Sequence, residues 1–194
     1  MASPRSTPQS HDRVRAHAAA GAEDIHGLRI NYGGCSLPNV LSHVYKYLPF
    51  ERTMTIKVDG EEQKIVVADK IKPAWSLVWK RADYAPCNAY FKTLVRRKTL
   101  KDILQEGITL HLLEPKDGKS YDKLPAANSA GNDIGINPSF LLDSNSGPLA
   151  CTLIHELAHV AGATTNTLDD DAGAAEMALK HCLCEKERVE GLKG

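Results

Sequence analysis

The chain has 194 residues, of which 42% are hydrophobic and 25% charged, and its 24 basic and 24 acidic residues give a formal net charge of zero. This length suits one domain with a buried core, and the composition is ordinary for a globular protein. The balanced charge argues against a nucleic-acid partner, which needs Lys and Arg in excess on one face. No apolar stretch approaches the length of a membrane span, so no membrane partner is expected.

The sequence divides into an N-terminal tail and a folded domain. Residues 1–27 are predicted to be a flexible tail, and residues 28–194 the folded domain. The segment Met1–Gly21 is rich in Ser, Pro, Ala, Arg and His and lacks the apolar run of a secretory signal. We therefore expect a chain that is cytoplasmic, is exported by a signal-independent route, or has had its signal removed.

Helices and strands are both predicted in the first part of the domain. Apolar residues at a helical period predict a helix over Leu37–Tyr47. Two segments rich in β-branched residues, Thr53–Val58 and Lys64–Ala68, flank Asp59-Gly60 and predict a β-hairpin. The next predicted elements are two helices and a strand, at Asn88–Val95, Thr99–Leu104 and Ile108–Leu113. The basic run Arg96-Arg97-Lys98 is typical of a solvated helix face or turn.

A loop, a strand and two helices complete the prediction. Tyr121–Asp133 is loop-like, and Ile134–Ile136 is a short strand that Asn137-Pro138 ends. Pro148 begins a helix that continues to about Ala161, before Gly162. A second helix is predicted from about Asp169–Asp171, whose acidic side chains suit the positive end of the helix dipole, to about Cys184. This order of elements predicts an α+β domain.

The cysteines do not form a recognisable metal motif. The chain contains Cys35, Cys87, Cys151, Cys182 and Cys184, so at least one thiol is unpaired in a monomer. No C-x-x-C pair occurs, which argues against a zinc ribbon. One or two disulfides are compatible with a protein that works outside the cytosol.

The helix that begins at Pro148 carries an H-E-x-x-H motif, His155-Glu156-Leu157-Ala158-His159. Residues i and i+4 lie on one face of a helix. Two imidazoles so placed can bind one zinc ion, and Glu156 can act as a general base toward water. The apolar residues of the helix form one broad arc: Leu149, Ala150, Leu153, Ile154, Leu157, Ala158, Val160 and Ala161. The pattern predicts a largely buried helix with its polar groups on one side.

A catalytic zinc usually has three protein ligands, so a third is required. Glu176 is the preferred candidate, because it lies 176 − 159 = 17 residues after His159 at the edge of the next apolar helix stripe. A carboxylate at such a place is costly unless it is paired or binds a metal. A surface pair with Lys180 is the alternative for Glu176. Asp169 and Asp170 are the alternative ligands, although Asp is also common as a helix cap.

The segment His155–His159, followed by Gly162, resembles the active-site helix of the zincin metallopeptidases, and the resemblance covers roughly the last 60 residues. A Glu on the following helix is similar to the gluzincin pattern, although the usual Asn-Glu-x-x-Ser-Asp is here Ala-Glu-Met-Ala-Leu-Lys around Glu176. Thr167–Asp170 matches part of the aspzincin motif without its Tyr-Gly. Metzincins need a third His where Thr165 stands.

The peptide deformylases, which combine H-E-x-x-H with a Cys ligand, resemble the chain less closely. Gly33-Gly34-Cys35-Ser36-Leu37 is superficially similar to their cysteine motif, but Cys35 lies 155 − 35 = 120 residues before His155. This separation is far longer than that family uses.

The zincin resemblance implies a small mixed or antiparallel sheet, an active-site helix and a C-terminal helix. It also implies Zn²⁺ held by His155, His159 and Glu176, with Glu156 as the general base in the hydrolysis of a peptide or protein substrate. An extended substrate would pair with an edge strand, for which Asp133–Asn137 is the nearest candidate in sequence. The alternative for these residues is an internal strand.

Five further side chains have expected roles outside the set of zinc ligands and the general base. Tyr121, His111 and Tyr90 are candidates to stabilise the oxyanion, although none has supporting spacing. His181 is expected to face solvent, and Cys151 to be a buried structural cysteine.

The sequence is compatible with three functional alternatives: a non-proteolytic zinc amidohydrolase, for example on cell-wall amides, a binding or structural protein with an inert metal site, and a secreted effector or toxin. The sequence does not identify the substrate or any inhibitor or immunity protein.

Overall fold

The computed structural model describes residues 22–33, 35, 45–58, 61–115, 125–164 and 173–184. Within these ranges the elements are, in chain order, β1 (Ala22–Ile25), β2 (Leu28–Asn31), β3 (Tyr45–Leu48), β4 (Thr53–Val58), β5 (Glu61–Val66), α1 (Val67–Ala82), α2 (Ala85–Phe91), α3 (Leu100–Gln105), β6 (Ile108–Pro115), β7 (Ala127–Ala130), β8 (Asp133–Ile136), α4 (Pro138–Asp143), α5 (Ser146–Val160) and α6 (Ala174–His181).

Six of these strands form one mixed sheet. Its strand order is β1-β2-β6-β8-β7, and β3 also pairs with β6. The pairs β2–β6 and β6–β8 are parallel, whereas β1, β3 and β7 are antiparallel to their partners. β4 and β5 make a separate antiparallel hairpin. The prediction of an α+β domain is confirmed.

One hydrophobic core lies between the sheet and the helices. Alternate side chains of the parallel strands enter it, including Ile30, Leu110 and Ile134. α1 and α5 pack together in the same core, and α5 also contacts α6 and β7. All of the apolar arc predicted for α5 is buried, together with Cys151 and Glu156. Burial on most sides fixes α5 in place, so its remaining polar face has a defined orientation.

Several predicted elements are confirmed with small shifts. The hairpin is β4–β5, the predicted helix at Asn88–Val95 is α2 at Ala85–Phe91, and the helix at Thr99–Leu104 is α3. Thr99 caps α3 by accepting from the Asp102 amide, while the Asp102 carboxylate accepts from the Thr99 amide. The strand predicted at Ile108–Leu113 is β6, and that at Ile134–Ile136 is β8.

Other predictions are wrong. The helix predicted over Leu37–Tyr47 is wrong for Tyr45–Tyr47, because Tyr45–Leu48 is a strand that pairs with β6. Residues 37–44 of that prediction lie outside the described ranges. Residues 22–27, assigned to the tail, form β1 and the turn into β2. The predicted loop at Tyr121–Asp133 contains β7, which pairs with β8.

The longest helix in the described ranges, α1, was not predicted, and it begins inside Lys64–Ala68, which was predicted to be a strand. Val67 and Ala68 are its first residues, and its buried side chains recur at a helical period: Val67, Ala68, Ile71, Ala74, Trp75, Val78 and Ala82. The sequence has this helical period, but it also has Pro73 inside the segment. Because proline usually interrupts a helix, Pro73 argues against predicting one there. The short helix α4 was also not predicted.

Two contacts fix the C-terminal helices. A disulfide joins Cys87 on α2 to Cys182 at the end of α6. The Arg96 amide donates to the Ala161 carbonyl at the end of α5, and the Arg96 guanidinium contacts Glu106. The basic run lies in a turn, as predicted, and its Arg96 connects this turn to the end of α5 and to Glu106, which follows α3.

Candidate metal and catalytic site

The two histidines of the motif face one another on α5. The Nε2 atoms of His155 and His159 are 3.1 Å apart, and the ring centroids are 4.8 Å apart with the rings nearly perpendicular. The expected i, i+4 juxtaposition is therefore present. It results from the helical period together with the burial of the rest of α5.

The tautomer of His159 is set by the turn that follows α5. Nδ1 of His159 lies 3.0 Å from the Ala163 carbonyl oxygen, which can only accept, so Nδ1 is the donor. Gly162 makes this turn with a φ of 93°, and a Cβ at Gly162 would lie 2.6 Å from Val95 Cβ. A neutral His159 therefore carries its lone pair on Nε2, the atom that faces His155.

The spacing of these nitrogens fits zinc. Two imidazole nitrogens bound to one tetrahedral zinc at about 2.05 Å are about 3.3 Å apart, close to the 3.1 Å between the two Nε2 atoms. In the part of the chain that the structure describes, no group of three or more His, Cys, Asp or Glu side chains is arranged to hold a metal ion. The described residues thus supply two convergent nitrogen donors.

Glu176 lies beside the two histidines, but its carboxylate is close to Nδ1 of His155 and not to the Nε2 atom that faces His159. It is on α6, and its Oε1 is 3.3 Å from Nδ1 of His155. To ligate a metal held by the two Nε2 atoms, the Glu176 carboxylate would have to leave Nδ1 by rotation of its side chain, which is 38% exposed. The alternatives Asp169 and Asp170 lie outside the described residues.

Glu156 is a buried carboxyl at the edge of the same site. Its side chain is buried, with 6% relative exposure for the residue. Burial raises the pKa of the Glu156 carboxyl, whereas the charge of His159 and a hydrogen bond from Ser129 act in the opposite direction. A carboxyl with a raised pKa is suited to accepting and returning a proton near neutral pH. Ser129, which sequence reasoning missed, is brought here from β7.

Two adjoining cavities open on the motif, and His155 and Glu156 line both. One, of about 410 Å³, is largely apolar, with Phe140, Pro148 and Leu179 in its wall and Glu176 at its edge. The other, of about 550 Å³, is bordered by His159 and by residues of β7. The site is therefore a cleft, with α5 on one side and β7 on the other.

β7, rather than β8, is the terminal strand in the sheet order, so the expectation of an edge strand at Asp133–Asn137 is wrong. β8 lies between β6 and β7 and is paired on both sides. The Asn137 amide donates to the Ala126 carbonyl, so Ala126 and Asn137 form a hydrogen-bonded pair. The next hydrogen-bonded pair along the two strands is Asn128 with Gly135. Because hydrogen-bonded pairs alternate along antiparallel strands, the Ala127 and Ser129 backbone groups point away from β8.

Most other candidates lie away from the cleft. His111 is fully buried, with Nδ1 3.0 Å from Asn31 Nδ2 and Nε2 2.6 Å from Asp133 Oδ1. The Tyr90 hydroxyl donates to the Ala174 carbonyl at 2.6 Å, and Tyr121 is outside the described ranges. These contacts assign His111 and Tyr90 to packing rather than to the oxyanion.

The remaining three candidates lie in different places. His181 is half-buried against the Tyr90 ring rather than facing solvent. Cys151 is buried, as expected, and also lines the apolar cavity. The Cys35 amide donates to Asn31 Oδ1 at the end of β2, and Cys35 is not among the residues that line either cavity.

No protein-family model matches the chain, and no curated protein or solved structure is detectably similar to it. None of the helices in the described ranges combines the length and the apolar character needed to cross a bilayer.

Proposed function

We propose that this chain is a zinc-dependent metallopeptidase of the zincin type. The observation that carries the proposal is the pair of Nε2 atoms 3.1 Å apart on one buried helix, with the buried Glu156 between the two histidines in sequence. An accidental H-E-x-x-H on a surface helix would not combine a defined histidine tautomer, a buried carboxyl and a cleft.

His155 and His159 would hold the metal through Nε2, and Glu176 is the proposed third protein ligand. The Ala163 carbonyl orients His159 by accepting from Nδ1. Such outer contacts fix the direction of the ligand nitrogen and increase its basicity. Zinc, when bound, supplies a Lewis acid that acidifies water and polarises the scissile carbonyl.

Glu156 would move the proton. Its carboxylate takes a proton from the attacking water and gives it to the leaving amine, so the residue acts first as base and then as acid. The Ser129 hydroxyl, donated to the carboxylate, keeps the charged form accessible despite burial. Burial raises the pKa of the Glu156 carboxyl, which favours its accepting the proton.

The outer edge of β7, the terminal strand of the sheet in the described ranges, would align the substrate. The Ala127 and Ser129 backbone groups can pair with an extended peptide, which supports a peptide rather than a compact substrate. The apolar cavity lies at one end of this edge, since Ala126 and Ala127 contribute to its lining. We propose an extended polypeptide as the substrate.

The test combines metal content with hydrolysis. We expect about one zinc per chain in the purified protein, and loss of zinc in His155→Ala and in His159→Ala. Glu156→Gln should keep the zinc but lose about 10²–10⁴-fold in rate. His26→Asn is the matched histidine control, because His26 is exposed in the β1–β2 turn and Asn tolerates its φ of 53°.

The measurements are elemental mass spectrometry for zinc, and casein and quenched extended peptides for cleavage. An absence of zinc after zinc is added back would reject the proposal. Bound zinc with release of amines from peptidoglycan, and none from casein or the peptides, would replace the peptidase by a cell-wall amidohydrolase.

A further inference from the structure

The helix that carries Glu176 is attached to α2 at both of its ends. At its start, the Tyr90 hydroxyl donates to the Ala174 carbonyl at 2.6 Å. At its end, Cys182 forms a disulfide with Cys87. Between these ties the Tyr90 ring stacks on His181, with centroids 4.7 Å apart and planes within 12°. Tyr90 and Cys87 of α2 therefore attach the two ends of α6, in addition to the packing of α6 on α5.

The end of α6 is also connected to the active-site helix. Leu183 has a φ of 61°, a left-handed conformation that is unfavourable for leucine and persists only when its surroundings impose it. Cys184, the next residue, is buried, and its carbonyl oxygen lies 3.7 Å from Cys151 Sγ. Cys151 is one turn before His155 on α5. The strained end of α6 thus lies between the disulfide and α5.

These attachments and the packing on α5 together hold α6. It has only eight residues, and an isolated helix of this length is marginal in water. Glu176 lies near the middle of the clamped segment, with its Oε1 3.3 Å from His155 Nδ1. A rotation or shift of α6 would therefore change the distance that the Glu176 carboxylate must cover from His155 Nδ1 to a metal held by the two Nε2 atoms.

We propose that Tyr90 and the Cys87–Cys182 disulfide are positioning residues for Glu176, and that the zinc affinity of the site depends on both ties. This inference rests on the proposed function, since it concerns the same site. It assigns the disulfide a role in metal binding in addition to any effect on the stability of the fold.

The experiment measures the zinc dissociation constant of the folded, full-length protein by competition with chromogenic chelators. The Cys87→Ser/Cys182→Ser double variant should bind zinc at least about tenfold more weakly, the loss typical of removing support for a metal ligand. Tyr90→Phe removes one hydroxyl and should weaken binding by about fivefold. Cys35→Ser and Tyr84→Phe are the controls: Cys35 is outside the disulfide, and Tyr84 is exposed at the start of α2.

A combination with Glu176→Gln separates positioning from general loosening of the fold. If the ties act through Glu176, they have no further effect on zinc affinity once Glu176 is replaced. Equal losses in the wild-type and Glu176→Gln backgrounds would overturn the inference, as would wild-type affinity in both tie variants. If the cysteine double variant does not fold, Tyr90→Phe decides alone. A wild-type protein that binds no zinc would instead reject the proposed function, and this inference with it.

Discussion

At the scale of single residues, His159 is the best-defined group of the site. Its ring is fixed by the Ala163 carbonyl, and the turn that provides this carbonyl requires Gly162. Glu156 is defined in another way, by burial and by the Ser129 hydroxyl. His159 is therefore oriented by the end of its own helix, and Glu156 by a residue of β7.

Glu176 is the residue whose role the next experiment decides. As a zinc ligand, it should be replaceable by neither alanine nor glutamine, because a neutral amide oxygen is a poor substitute for a carboxylate on zinc. We expect both variants to lose stoichiometric zinc, measured by elemental mass spectrometry, while Asp170→Ala keeps it.

Two results would contradict this role. Retention of zinc in Glu176→Gln with loss in Glu176→Ala would mean that the side chain acts as an acceptor for His155 Nδ1. Loss of zinc only in Asp170→Ala would transfer the ligand role to that aspartate.

The residues of the motif were predictable because their geometry is local. An i, i+4 pair on a helix has one relative placement, and the apolar arc of α5 shows which side is polar. Ser129 could not be found in this way, since it reaches Glu156 only when β7 lies beside α5. The sequence around Ser129, Ala-Asn-Ser-Ala, has no pattern that indicates a catalytic neighbour.

At the scale of elements, β3 and β8 contact β7, the strand that borders the cleft. The Tyr47 ring passes over Gly135 of β8, and its hydroxyl donates to the Asn128 carbonyl of β7 at 2.9 Å. Burial raises the pKa of the Tyr47 hydroxyl, which keeps it protonated as a donor. A side chain at position 135 would occupy the space of the Tyr47 ring.

Gly135→Ala should therefore be destabilising. The added Cβ would lie 2.7 Å from Tyr47 Cε1 and 2.8 Å from Leu113 Cδ1, and forced overpacking costs about 1–3 kcal/mol. Urea unfolding of the variant measures the loss. Gly173→Ala is the matched control, because a Cβ there has no neighbour within 4 Å. Equal stability of the two variants would show that the Tyr47 ring moves aside without cost.

The elements that were missed share a physical cause. The helical period predicted for Leu37–Tyr47 does not hold at its last residues, which are part of the strand Tyr45–Leu48 because β6 offers them a pairing partner. β7 contains Ala, Asn and Ser, which are weak strand formers, and exists through its pairing with β8. Local preference was overridden by tertiary pairing in both cases, whereas β6 and α3 have local signals that agree with the fold.

At the scale of the whole molecule, the disulfide joins parts of the chain that are 95 residues apart. Which cysteines pair could not be predicted, because pairing depends on the fold that brings α2 beside α6. Disulfides are typical of proteins that mature in oxidising surroundings.

Removal of this disulfide should lower the stability of the metal-free protein. Closing a loop of this length restricts the unfolded chain, and loss of a native disulfide costs about 2–5 kcal/mol. Urea unfolding of the Cys87→Ser/Cys182→Ser variant without zinc measures the effect, with Cys35→Ser as the control. A change smaller than about 0.5 kcal/mol, the size of an ordinary surface substitution, would contradict the expectation.

Both tryptophans of the chain are on α1, and the indole N–H groups of Trp75 and Trp79 both donate to the His26 carbonyl oxygen in the β1–β2 turn. Neither is among the residues that line the two cavities. The intrinsic fluorescence of the protein therefore reports on the junction of α1 with the first hairpin, so an emission change during a zinc titration signals a rearrangement that extends beyond the cleft.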